Sequence, residues 1–590
     1  MEETEETNNH DISAKRYKRK RKKTFLKNAR KYAKKGWYGR GSQLDAETYQ
    51  YFVRILEVYR EGFENDDDKK IFVNNVFQQT ENEEVKCSCN QVGCRVVEML
   101  LPFANDSVVE RYMNAFSEEL RPLCADRLAS HVLEALLGEC CKRSLDKDTK
   151  DDVKEKFKGY TLKISKFLLN NLEDYVWDVY GNHIIRSVFR NLAQLPNVDR
   201  KEVKNKSKEV TAELIEIPND YAEVLQDYGE RLLAWPQFKE LPYSELTSAM
   251  LQILLRALSK CNTKILKKYI KKILDECFCT DSDPNNSFTR CQKLFKSTAA
   301  TMLVETMMEI ASPKHYTQIY AKCFKGHVCD LARTKSTSFS VQKLLTYCKE
   351  KVEFEEMFEE LKGFDPIISA GNSGVILALA EGCKRFATKQ GLFVQNISSG
   401  FHCESEDKQT DLLICLCKFV NYGLLQELNI QNYEKEKFNL HGTLIVQHIL
   451  EFNKPIKFVN AILGMDTADL KGLFSNTMGS HLVDSYMTSK FIGEKSREKL
   501  IRKLQGTYQD LASTKYGSRS FEAIWNACNM KFKINIMDEL VYKDAAWSNT
   551  EHGKIIASKI NLVLYKRNKE EWKSSLNNVN KLKELTDLLQ

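Results

Sequence analysis

The sequence predicts an all-α solenoid of stacked helical repeats, on three observations. Only 10 Pro and 25 Gly stand in 590 residues, few for a sandwich or barrel rich in tight turns, while Leu, Lys, Glu and Ala runs abound. No alternation of apolar and polar residues of strand type is sustained beyond a few positions. One frame recurs along the chain: a small residue, two variable positions, an apolar pair, two more variable positions and a second apolar pair. A chain of this length exceeds a single core of ordinary size, and 42% apolar with 10% aromatic residues supply the burial that a folded array needs.

The first element in chain order is a tail, expected over residues 1–42. Within it residues 15–35, KRYKRKRKKTFLKNARKYAKK, carry 13 Lys or Arg and no acid; set against the net charge of +8, this leaves −5 for the rest. A block this purely basic is expected to be disordered and to serve a nuclear import receptor, through Lys15 to Lys35, or to cling to phosphates. The opening MEETEETNNH has no apolar secretory core and no stretch approaches a spanning helix, so the expectation is a soluble intracellular protein with no membrane partner.

Helical spacing begins after Asp45, a candidate N-cap, with Tyr49, Phe52, Val53, Leu56 and Tyr59. The frame then appears as GCRVVEMLL from Gly93, ASHVLEALL from Ala129, GNHIIRSVF from Gly181, TSAMLQILL from Thr247 and ATMLVETMM from Ala300. It continues as TSFSVQKLL from Thr337, GTLIVQHIL from Gly442, GSHLVDSYM from Gly479, GSRSFEAIW from Gly517 and a weaker GKIIASKIN from Gly553. One more copy lies in GNSGVILAL, with a register starting at Gly371 or Gly374. The shortest steps between copies are 36 to 38 residues, a period of stacked helical units sharing one continuous core. Longer steps mark insertions, expected near 143–165, 196–230, 275–292 and 385–430. The array is expected over 43–575, with a C-terminal helix or tail over 576–590.

The two apolar pairs fall on one helix face and must be core. That leaves the first, second and fifth residues after the small one, which are expected on the surface that stacked equivalent helices line. Here the frame resembles the pumilio, or PUF, repeat, and GTLIVQHILE from Gly442 is especially close. The resemblance implies that one helix of each repeat reads single-stranded RNA at one base per repeat, the first and fifth residues bonding a base edge and the second stacking between bases. Ser130 with Glu134, and Ser518 with Glu522, resemble guanine readers, because a carboxylate accepts from both the ring N–H and the exocyclic amine of guanine. Ser338 with Gln342 and Thr443 with Gln447 resemble uracil readers, an amide offering both donor and acceptor. Arg95, His131, His183, Phe339, His481 and Arg519 present the planar groups that stacking needs. Cys94 with Glu98 occupies the same positions. Asn182 with Arg186, Ser480 with Asp484 and Lys554 with Ser558 depart from a simple base code, as do Met302, Leu444 and Ile555 at the stacking position.

About eleven degenerate units, long insertions and a basic tail together resemble the nucleolar protein 9 family of pumilio-like proteins rather than the eight-repeat messenger-RNA regulators. The resemblance covers about residues 44–575. It implies a right-handed α-solenoid curved into a U-shaped or horseshoe superhelix, located in the nucleus and nucleolus. It also implies binding of single-stranded or partly structured precursor ribosomal RNA near the 3′ end of the small-subunit RNA, within small-subunit preribosomal particles, in support of processing and assembly.

Other functions find less support. No Walker loop, GxGxxG after a strand, HExxH or nucleophile elbow occurs, so no enzyme and no cofactor is expected. The 18 cysteines lack paired CxxC spacing and are read as small, reduced, buried hydrophobes rather than zinc ligands. Two alternatives stay open: a pumilio-type messenger-RNA regulator, and an armadillo- or HEAT-like scaffold gripping a protein, which the −5 of the body favours.

Overall fold

The computed structural model describes residues 25–38, 40–196, 216–279, 293–428, 430, 432–542 and 544–576. Among these residues the elements are helices and turns, with one isolated antiparallel bridge between Gly41 and Asn90. Two compact units divide the chain, Met1–Ala311 and Ser312–Gln590.

In the first unit the recurrent frame forms the helices Gln91–Leu100, Ala129–Leu145, Val179–Leu192, Glu245–Cys261 and Thr298–Ile310, each packed against the next. Their apolar pairs are core, as Val96 with Val97, Val132 with Leu133 and Ile184 with Ile185 show. A second layer backs them, including Asp106–Glu118, Asp151–Asn170 and Asn219–Leu233. In that layer the phenol of Tyr228 donates to the Ser165 carbonyl and that of Tyr269 to the Gly229 carbonyl, each at 2.7 Å, so buried hydroxyls are satisfied across neighbouring helices. The second unit repeats the plan with Ser338–Tyr347, Ser373–Arg385, Leu440–Leu450, Ser480–Thr488, Lys515–Ala527 and Glu551–Lys559.

Two local devices set the start of most frame helices. A polar residue three positions before the small one caps the first turn. Asn90 Oδ1 accepts from the Val92 and Gly93 amides, Asp126 from Leu128 and Ala129, and Asp178 from Tyr180 and Gly181. Asn439, Asn476, Thr514 and Thr550 do the same in the second unit. The small residue then lies against the carbonyl that ends the preceding short helix. A β-carbon at Gly93 would land on the Cys87 oxygen, and one at Gly479 on that of Leu473. Where threonine replaces glycine, its hydroxyl bonds the equivalent carbonyl: Thr247 donates to Leu241 and Thr337 to Leu331, both at 2.7 Å.

These devices correct the register left open at Gly371 and Gly374. Asn372 is the N-cap residue of Ser373–Arg385, and its amide donates to the Ala332 and Arg333 carbonyls, as the Asn90 amide donates to those of Tyr38 and Ser42. The frame therefore starts three residues on, at Val375, which is buried.

The expected tail is also corrected, from residue 25 onward. Residues 25–33 form a helix whose Leu26 and Ala29 are buried, and Arg30 pairs with Glu57. Behind it the chain is tied to the first repeat by backbone bonds from Ser42 to Cys89 (3.1 Å) and from Gln91 to Arg40 (2.9 Å). Gly41 sits at φ +92°, and a β-carbon there would land on the Cys89 carbonyl oxygen, a place only glycine takes. The physical reason is that a terminal repeat needs cover for its apolar face, and Leu26 and Ala29 supply it from within the basic run. The rest of the basic block, residues 15–24, lies outside the described residues.

Where it is described, the added length is mostly helix. The stretch near 143–165 runs from the end of Ala129–Leu145 into the backing helix Asp151–Asn170, and that near 385–430 holds Gln390–Gly400, Gln409–Lys418 and Tyr422–Glu427. The other two expected insertions are described only in part, since 197–215 and 280–292 lie outside the described residues, as does 577–590.

Candidate nucleic-acid interface

The frame positions separate sharply in burial. The first-position residues Cys94, Ser130, Asn182, Ser338, Thr443 and Ser480 are at most 4% exposed, whereas Phe339 at the second position is 63% exposed. This corrects the expectation that first-position side chains lie on the open face. They point toward backbone and neighbouring helices: the Cys94 thiol donates to the Leu128 carbonyl (3.1 Å), the Asn182 amide to that of Val176 (2.8 Å), and the Ser338 hydroxyl to that of Lys335 (3.0 Å). Burial pushes the Cys94 thiol up to about 12, so it stays neutral. Ser518 alone of those named is half-exposed, with its hydroxyl donating to the Lys515 carbonyl at 2.9 Å.

The second and fifth positions do form a face. In the first unit Arg95, Glu98, His131 and His183 are exposed and Glu134 and Arg186 half-buried. In the second, Phe339 and Arg519 are exposed, and Gln342, Gln447, His481, Asp484 and Glu522 are half-buried. Met302 and Ile555 occupy the same second position and are exposed as well. A row of flat, cationic or apolar side chains thus alternates with polar ones within each unit.

Fifth-position side chains reach across to the next frame helix. Glu134 accepts from the Ser187 hydroxyl at 2.5 Å, and the Gln252 amide oxygen accepts from that of Thr306 at 3.4 Å. Asp484 accepts from both Nε (3.0 Å) and Nη2 (2.7 Å) of Arg519, and Lys559 pairs with Glu522 at 2.6 Å. Glu98, Gln342 and Gln447 have no side-chain partner of this kind among the described residues. Arg95 lies 5.3 Å from the centre of the Phe25 ring, so a residue of the N-terminal helix stacks on the first planar position. Partial desolvation of an otherwise exposed ring, with Arg186 beside it, holds His183 below the ordinary imidazole range, and partial burial with Arg519 does the same for His481.

Sequence reasoning missed Lys559, Arg190 and Arg256, which share this face. Each falls in the frame, at six or nine residues after Gly553, Gly181 and Thr247, so the same spacing could have found them. Arg256 pairs with Glu309 at 2.9 Å. Among the described residues no cluster of His, Cys, Asp or Glu could hold a metal ion, and no helix is long and apolar enough to cross a membrane.

Residues 82–555 match the NOP9-like PUF repeat domain. Nucleolar protein 9 of Homo sapiens is 23% identical, covering 90% of this chain and 88% of that protein. Pumilio homolog 23 of Arabidopsis thaliana is 21% identical, covering 90% of this chain and 73% of that protein. The solved structure of APUM23-GGAGUUGACGG matches with a TM-score of 0.72 at 20% identity, covering 90% of this chain and 99% of that one. A helical frame whose small residues, caps and apolar pairs recur as described, matched over most of its length by one repeat family, makes this chain a member of the NOP9-like PUF repeat family, with the pumilio α-solenoid fold.

Proposed function

We propose that the protein is a nucleolar RNA-binding factor that holds single-stranded or partly structured RNA along the second- and fifth-position faces of its units. Its RNA is precursor ribosomal RNA near the 3′ end of the small-subunit RNA, and its role is in small-subunit processing and assembly within preribosomal particles. The residues assigned to contact are Arg95, Glu98, His131, Glu134, His183, Arg186, Phe339, Gln342, Gln447, His481, Asp484, Ser518, Arg519 and Glu522. The basic block over residues 15–35 serves nuclear import.

One observation carries this reading: planar or cationic side chains alternate in register with polar ones along neighbouring helices, the arrangement that stacks bases and bonds their edges. The relatives lend support, being called nucleolar protein 9 or solved as APUM23 with RNA of the type GGAAUUGACGG. A protein-gripping scaffold has no comparable use for exposed Phe339, His131 and Arg519 at one offset.

The test is binding of labelled GGAAUUGACGG RNA, of a small-subunit precursor 3′ segment and of scrambled single strands, with crosslinking and mapping of bound RNA in cells. Tight binding to RNA over scrambled strands, with crosslinks in precursor ribosomal RNA, is the expected result. No RNA binding at moderate salt refutes the reading, and crosslinks confined to messenger RNA refute the ribosomal part.

A further inference from the structure

On the frame helix Val179–Leu192, three side chains follow one another along a single face: His183, Arg186 and Arg190, at spacings of three and four residues. Both guanidinium groups are half-buried. Neither makes a hydrogen bond or ion pair with a described residue, and the Nε of Arg186 is enclosed with no hydrogen-bond partner among them. A desolvated cation without a partner is costly, so a pair of them in one strip is a feature to account for.

The carboxylates nearby do not account for it. Glu134 is the anion whose charge both arginines sense, and its Oε2 already accepts from the Ser187 hydroxyl at 2.5 Å. Glu309, on a more distant frame helix, is paired with Arg256. The strip thus holds two uncommitted positive charges against one partly engaged negative charge. Burial pulls both guanidinium groups below their ordinary value, yet arginine stays charged in proteins, so the excess is real.

There is also room. On the preceding frame helix the residue in register with Arg190, nine after the small one, is Gly138. A β-carbon there would meet only Asn191 Oδ1, at 3.9 Å. The place where a neighbouring side chain would cover Arg190 is open.

We propose that Arg186 and Arg190 form a binding site for an RNA backbone phosphodiester, so that this repeat positions the strand instead of reading a base. The choice of phosphate over base follows from charge. A neutral guanine edge would accept from one guanidinium and leave the excess charge uncompensated, whereas two anionic oxygens accept from two arginines and neutralise them. The departure of Asn182 and Arg186 from a base code has the same cause: the edge-reading position has been given to the backbone. This inference rests on the RNA-binding reading above.

The experiment uses the full-length protein, the Arg186→Met/Arg190→Met double variant and the Arg186→Lys/Arg190→Lys double variant. Affinity is measured for GGAAUUGACGG RNA and for a set varied one base at a time, each at several salt concentrations. Methionine removes a desolvated charge and keeps the stem, so melting temperature should hold or rise, which separates lost binding from lost folding. The methionine variant should lose about tenfold or more in affinity, equally for every RNA. Its log-affinity against log-salt slope should flatten by about 0.7 to 1.4, one or two single-strand phosphate contacts. The lysine variant should keep most of the slope, because lysine serves a phosphate as a point charge.

A methionine-variant loss confined to RNAs altered at one base overturns the phosphate assignment in favour of base readout, and so does a lysine variant as flat as the methionine one. Unchanged affinity and slope in both variants overturn the site while the RNA-binding reading stands. Wild-type protein that binds none of these RNAs overturns that reading, and this one with it.

Discussion

Replacing Glu522 with Gln tests base reading where the structure gives the most to work with. Glu522 is half-buried on Lys515–Ala527, beside the exposed Arg519 and the half-exposed Ser518, and Lys559 of the next frame helix holds its carboxylate at 2.6 Å. Lys559 is 56% exposed, so the pair is worth about 0–1 kcal/mol and its loss should lower stability by less than that. A guanine edge bound at Glu522 must displace the ammonium. Setting that cost of about 0–1 kcal/mol against a two-bond edge contact of about 1–3 kcal/mol, a figure measured for base readout in DNA, leaves about 0–3 kcal/mol, and about 1–2 kcal/mol around the midpoints, of net preference. The midpoint range is about a 5- to 30-fold discrimination. Binding of RNAs varied one base at a time, at one salt concentration, should show Glu522→Gln moving the preferred base from guanine toward uracil. Lys559→Met should sharpen the guanine preference, since no ion pair then competes, while lowering affinity for all RNAs. An equal loss on every RNA for Glu522→Gln, or none, would make Glu522 a surface residue and refute base reading by this repeat.

Three further outcomes follow from the same geometry. Gly93→Ala should destabilise the first unit by about 1–2 kcal/mol, the clash with the Cys87 carbonyl outweighing the helix preference of Ala, whereas Gly159→Ala, with nothing within 4 Å, should stabilise it by about 1 kcal/mol; melting curves of the two variants should shift in opposite directions. Asn476→Ala should cost about 2–4 kcal/mol in denaturant titration, because it removes the cap on Met478 and Gly479 and leaves the carbonyls of Glu434 and Glu436 without a donor, that of Tyr433 keeping only the Glu436 amide. His183 and His481 are held below their ordinary value of 6.5, so the fold disfavours their charged form; their contribution is intact above about pH 6.5 and is lost as pH falls through their lowered values. A His183→Gln/His481→Gln double variant should therefore show a weaker fall in melting temperature between pH 7.5 and 5 than wild type, and an identical fall would refute the assignment.

The frame was legible because one stretch of helix carries it. Two apolar pairs and a small residue repeat whether or not the intervening chain is regular, so the helices from Gly93 to Gly553 could be found across steps of very different length. What failed to read out depended on contacts outside that stretch. Nothing local distinguishes Ser130 at the first position from His131 at the second, yet packing of the next helix buries one and exposes the other. The helix over 25–33 was hidden because its charge is so high that Leu26 and Ala29 count for little in a window, though they decide the packing. The register at Val375 was hidden because it has Val where other copies have Gly, Ala or Thr, and only the hydrogen bonds of Asn372 mark it.

The cross-helix bonds also change what a base code can mean in this protein. On the proposed RNA-binding reading, a fifth-position residue that stands free among the described residues, as Gln447 does, would read a base at the cost of desolvation alone. One that is already bonded, as Asp484 is to Arg519, would have to exchange a partner, and that partner holds the second, proposed stacking position of the neighbouring repeat. A base accepted at Asp484 would release Arg519 from its fixed plane, and a base stacked on Arg519 would gain from Asp484 holding that plane. On that reading the two repeats would not take bases independently, because the proposed edge contact of one and the proposed stacking surface of the next draw on the same two hydrogen bonds. Departures from a one-residue, one-base code are what such sharing would produce: the sequence preference at a paired position would be a difference between two exchange energies, set by adjacent helices together.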